Sequence, residues 1–110
     1  MKTIKIRFYS NHLQKMVIPN DEIFVGALKD PDMNPMLFTG LKDRAGVEIF
    51  EGDILMASQR GRVVVEWINV GARFTARPVN TRFTPIALST AAARGKVIGS
   101  IHENPELLKI

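Results

Sequence analysis

The sequence predicts a small all-β domain. Three observations carry that expectation: apolar residues recur at period two in short runs, glycine-rich corners separate the runs, and almost no stretch repeats at a helical spacing. The chain has 110 residues, 45% of them hydrophobic and 24% charged. Those proportions belong to a folded chain rather than a disordered one, and the length suits one compact domain spanning 1–110.

The elements follow in order. Thr3–Tyr9 alternates, so Ile4, Ile6 and Phe8 are expected to face a core and Lys5, Arg7 and Tyr9 to face outward. Ser10-Asn11-His12 reads as a turn and Lys15–Ile18 as a short return strand stopped by Pro19. Glu22–Leu28 has a mixed pattern that allows another strand. Lys29–Pro35 holds two prolines and reads as a loop, followed by a strand at Met36–Thr39. Asp43 and Gly46 suit the first and last positions of a type I turn, from which Val47–Phe50 returns.

Glu51-Gly52-Asp53 is a tight corner, where glycine supplies the backbone angles and the aspartate can accept backbone amides. Ile54–Ala57 leaves it as a strand, and Ser58–Gly61 turns the chain again. Arg62–Val70 is the longest β-branched run and is apolar on both faces, which places it centrally in a sheet. Ala72–Val79 alternates, with Phe74 and Ala76 opposite Arg73, Thr75 and Arg77. Phe83–Leu88 contains Pro85 and is expected at an edge. Ser89–Ala93 predicts one helical turn capped by Ser or Thr and ended by Gly95. Lys96–Ile101 is a strand, and Asn104-Pro105 opens a short C-terminal helix. The corner, apolar strand, turn and long valine strand in succession suit a small SH3-like barrel core with extra strands before it.

The segment Phe38–Leu55, FTGLKDRAGVEIFEGDIL, resembles the signature of the YopX-like family of phage and prophage proteins. The ending VIGSIHENPELL over residues 97–108 is similar to that family's C-terminal pattern, and Ile4–Phe8 with Lys15-Met16 to its beginning. The family's first-strand tryptophan is absent, with Tyr9 close by, and residues 71–94 carry no pattern in common with it. The resemblance implies a β-rich domain with an SH3-like barrel core carried by phages or prophages. It implies no established activity.

No cysteine is present, which excludes a disulfide scaffold, a Cys-ligated metal and a thiol nucleophile, and fits a reducing compartment. No apolar run approaches the length of a membrane span, and the first residues lack a signal-peptide block, so a soluble cytoplasmic protein is expected. Asp30, Asp32 and Asn34 imitate the start of a calcium loop, but Pro35 and Leu41 stand where Gly and Glu are needed. His12 and His102 are far apart in sequence and read as a turn residue and a packed strand-end residue. Glu48, Glu51 and Asp53 form an acidic group whose plainer reading is Asp53 capping the corner while the glutamates face solvent. No nucleophile and base can be paired, so no catalytic site, metal or cofactor is expected.

The charge is what remains. The net is +4, yet residues 60–96 hold Arg60, Arg62, Arg73, Arg77, Arg82, Arg94 and Lys96 against Glu66 alone. Such a block favours polyanions, so these seven residues form the candidate nucleic-acid site. The plainer alternative is a solvated surface, since Trp67 and Phe74 read as core and leave no stacking platform. A second expectation is a protein-interaction module, whether for a host or phage protein or for copies of itself, because small barrels expose strand edges.

Overall fold

The computed structural model describes residues 5–18, 29–57, 61–80 and 82–109. Nine strands are described: β1 (Ile6–Ser10), β2 (Lys15–Val17), β3 (Met33–Lys42), β4 (Glu48–Phe50), β5 (Asp53–Ala57), β6 (Gly61–Ile68), β7 (Arg73–Pro78), β8 (Ile86–Ala87) and β9 (Lys96–Ser100). A short helix α1 (Leu88–Arg94) precedes β9, and a 3₁₀ turn (Pro105–Leu108) follows it. The strands form a four-stranded sheet in the order β2-β1-β3-β4 and a five-stranded sheet in the order β8-β7-β6-β5-β9. Every pairing is antiparallel. The all-β class expected from the sequence is the observed one.

Register sorts the apolar residues into three clusters. In the pair β5–β6, Ile54 lies opposite Val64 and Leu55 opposite Val63. Leu55, Val63 and Val65 therefore share one face, where they pack with Ile49, Ala57, Ala76 and the helix residues Leu88, Ala91 and Ala92. Ile54 and Val64 share the other face with Val79, beneath Ile101 and Leu107 of the C-terminal segment. Burying such an aliphatic side chain fully contributes about 1.5–3 kcal/mol, and the valine strand does so on both faces. The third cluster, Tyr9, Met36 and Phe50, belongs to the four-stranded sheet.

Several elements differ from the sequence reading. Residues 29–35 do not remain a loop throughout, because β3 begins at Met33 and contains Pro35. The Phe38 amide donates to the Lys5 carbonyl, and Arg7 and Tyr9 lie opposite Met36 and Asn34 in the same ladder. Alternation then makes Phe8–Pro35 a pair without a ladder bond, so proline's missing N–H costs nothing there. Tyr9 is buried rather than outward, because its face of β1 is covered by Met36 and Phe50. Helix α1 starts at Leu88, one residue before Ser89, and its N-cap Ala87 makes no side-chain bond. The closing element is a 3₁₀ turn with Pro105 in its first turn, and Asn104 makes no capping bond to it. The strand allowed at Glu22–Leu28 and most of the turn before Gly61 lie outside the described residues.

Gly95 ends α1 as expected, but for a steric reason. A Cβ there would stand 2.8 Å from the Ala91 carbonyl oxygen and 2.9 Å from that of Met56, both of them backbone. Gly95→Ala is expected to lower stability by about 1–3 kcal/mol in urea denaturation. Gly46→Ala meets open space and pays only for its positive φ of 86°, about 1 kcal/mol.

Candidate functional site

The ladder between β6 and β7 decides where the basic residues go. Val64 pairs with Arg77 and Ile68 with Arg73, so Arg73 and Arg77 share a face with Arg62, Val64 and Glu66. Met56 pairs with Arg62 on one side and Lys96 on the other, which brings Lys96 to that same face across β5. Arg62, Arg73, Arg77 and Lys96 thus lie on the outer face of the five-stranded sheet, the face away from the helix. Arg94 occupies the last turn of α1, which packs on the opposite face, and so stands apart from them. Arg82 is exposed in the turn after β7, where its amide donates to the Asn80 side chain. Arg60 lies outside the described residues.

These cations differ in what holds them. Arg77 Nε donates to Glu66 Oε1 at 2.8 Å in an exposed ion pair. Arg62 Nη2 donates to the Lys109 carbonyl oxygen at 2.5 Å and ties the C-terminal segment down beside the sheet. Arg73 is exposed at the start of β7, and among the described residues its side chain makes no hydrogen bond or ion pair.

Trp67 is not core. It is 44% exposed, with its ring against Phe74 edge-on at 5.1 Å and its Nε1–H donating to Asn69 at 3.1 Å. The cause is the length of β5. Ile54 opposes Val64, so β5 begins opposite Val65 and does not reach Trp67, whose ladder partner is Phe74 on β7. Phe74 does pack against the main cluster.

An open groove of about 410 Å³ runs between β3 and the C-terminal segment. Met36, Val64, Ile101 and Leu108 make it mainly apolar, and Glu51, the Glu66–Arg77 pair and His102 supply its charged and polar lining. The His102 ring stacks on Tyr9 at 5.2 Å, which is the packing role expected of it. Burial and the nearby Arg7 guanidinium push the imidazole below its ordinary value, with Glu103 opposing them.

Two buried aspartates organise the backbone, one at the corner beside this groove and one at the far end of β3. Asp53 accepts the Phe50 amide at 2.8 Å, the corner cap that the sequence predicts. Its other oxygen takes the Arg7 guanidinium, which also lies 4.3 Å from the centre of the Phe50 ring. Burial pushes the Asp53 carboxyl up to about 6, against the Phe50 amide and the Arg7 charge. Asp43 accepts the amides of Ala45, Val47 and Val97, and so fixes both its own turn and β9. Burial alone would raise its carboxyl, but those amides and the Lys96 charge together hold it below the ordinary value.

The remaining candidate groups are engaged in local structure. Asp32 accepts the Ser10 hydroxyl and the His12 amide, and Asn34 donates to the Tyr9 carbonyl and to Asn11, so the calcium-like segment fastens the β1–β2 turn. Glu48 pairs with Lys5 at 2.5 Å on the surface. Among the described residues no three His, Asp or Glu side chains gather as a metal site, and no helix is long and apolar enough to cross a membrane.

The family model described as YopX protein matches residues 3–109, including the 71–94 segment that carries no legible family pattern. The chain belongs to the YopX family. Its fold is also that of the crystal structure of protein EF1440 from Enterococcus faecalis, which covers 97% of this chain and 99% of its own at a TM-score of 0.68 and 24% identity. No curated protein sequence matches this YopX-family chain.

The two aspartates give the fold opposite pH responses. Between about pH 4 and pH 6, folded Asp53 holds a proton that the unfolded chain has released, so its contribution falls as pH rises through that window. Asp43 titrates below the ordinary aspartate value in the fold, so its contribution is present above that ordinary value and lost as pH falls through the lower, folded one. Urea denaturation from pH 3 to pH 7 is expected to lose the first response in Asp53→Asn and the second in Asp43→Asn. At pH 7, Asp53→Ala leaves the part-buried Arg7 without its carboxylate and is expected to cost about 3 kcal/mol.

Proposed function

We propose that this YopX-family chain is a non-catalytic accessory protein that works by binding. Its ligand in this reading is nucleic acid, held without sequence choice on the outer face of the five-stranded sheet. The resemblance to phage and prophage proteins fits such an accessory role. The observation that supports it is the register that gathers Arg62, Arg73, Arg77 and Lys96 on one face against Glu66. Arginine's planar fork suits phosphate, and a row of such forks on a sheet follows a phosphate backbone. Arg73 offers the readiest contact, because it gives up no bond to make one. Trp67 also exposes a ring at the end of this hairpin, but it pairs with Phe74 on the helix side of the sheet, so the reading rests on the cations.

A protein partner is the second reading, and one observation favours it. The β6–β7 hairpin end exposes Val70 (86%) together with Trp67, and a tryptophan held against Phe74 and Asn69 is the kind of anchor that protein interfaces use.

Binding of a short single-stranded oligothymidylate, followed by anisotropy against salt, separates the two. Three to four phosphate contacts give a log–log slope of roughly −2 to −3, and Arg73→Ala is expected to reduce it by about 0.7. Arg94→Ala, on the opposite face, leaves the slope unchanged. Absence of binding at low salt overturns the nucleic-acid reading and leaves the protein partner.

A further inference from the structure

We propose that the groove between β3 and the C-terminal segment is a docking site for an arginine side chain presented by a partner protein. The inference goes beyond the nucleic-acid reading, with which it shares the Glu66–Arg77 pair of the outer face, and it rests on the groove's own size, lining and charge.

The chain as a whole is basic, at +4, yet this groove is not. Glu66 neutralises Arg77 within it, and among the described residues Glu51 makes no side-chain hydrogen bond or ion pair. His102 adds no charge near neutral pH, because burial and Arg7 disfavour its protonation and the Tyr9 stack fixes its ring. One uncompensated carboxylate therefore stands in a mainly apolar groove of about 410 Å³. That combination disfavours a phosphate and suits a cation on an apolar stem. Arginine has this form: its methylenes cover apolar walls such as Met36, Ile101 and Leu108, and its guanidinium presents parallel donors to a carboxylate. Lysine offers the charge without the fork.

The test titrates N-acetyl-arginine methylamide into the ¹⁵N-labelled full chain and follows amide shifts. Its neutral isostere, N-acetyl-citrulline methylamide, is the control. The arginine derivative is expected to shift the amides of Gly52, Ile101 and His102 with at least tenfold higher affinity than the citrulline derivative. Glu51→Gln, which preserves shape, is expected to abolish that preference. Leu108→Ala, at the exposed rim, weakens both derivatives alike. Equal affinity for the two derivatives overturns the proposal, as does an arginine preference that survives Glu51→Gln. Groove shifts that depend on protein concentration without any probe, and vanish in Glu51→Gln, assign the site to a second copy and overturn the foreign partner. Loss of oligothymidylate binding with the arginine preference intact sinks the nucleic-acid reading alone.

Discussion

The carboxylate of Asp53 is the constraint on which the arrangement of the two sheets depends. It sits at the corner where the chain leaves β4 and enters β5, and it is almost fully buried. One oxygen closes the corner on the Phe50 amide, and the other takes a guanidinium from β1 in the other sheet. A single side chain thus fixes a local turn and a contact spanning 46 residues of sequence. A buried ion pair of this kind offers little net stability over an apolar replacement, but it penalises any arrangement that leaves one partner alone. Its value here is the relative placement of the sheets.

That placement creates the functional surfaces. The corner at Gly52, with its positive φ of 87°, brings the Met36 methyl of β3 and Ile101 of the C-terminal segment close to the backbone. The groove opens between those two elements. Asp43 does for β9 what Asp53 does for β1, since its carboxylate takes the Val97 amide and closes part of that edge. The C-terminal segment is then held by Ile101 and Leu107 packing, the His102–Tyr9 stack and Arg62 on the Lys109 carbonyl. Four of the basic residues lie around and beyond this segment on the same face of the sheet.

Much of this was legible in the residues and some was not. The valine strand of β6, apolar on both faces, announced its central place, and the Gly52-Asp53 corner announced its cap. The strand expected over Phe83–Leu88 shrinks to Ile86–Ala87, since Pro85 precedes it and Leu88 starts α1, but it does take the edge position. Arg7 misled, because a charge alternating with apolar residues looks like a solvent face, and its buried partner lies 46 residues away. Trp67 misled for a related reason: a tryptophan in a valine strand reads as core until the end of β5 is known. Pro35 looked like a breaker because its ladder pattern depends on where β1 begins pairing.

The sequence by itself determined the strands, their corners, the excess of arginine between residues 60 and 96, and the family. These follow from local periodicity, turn chemistry and composition, which neighbouring residues encode together. The tertiary structure alone decided which arginines share a face, which ring stays exposed and where the groove opens. Those depend on ladder register and on how the two sheets meet, and register is a relation between segments rather than a property of any one of them.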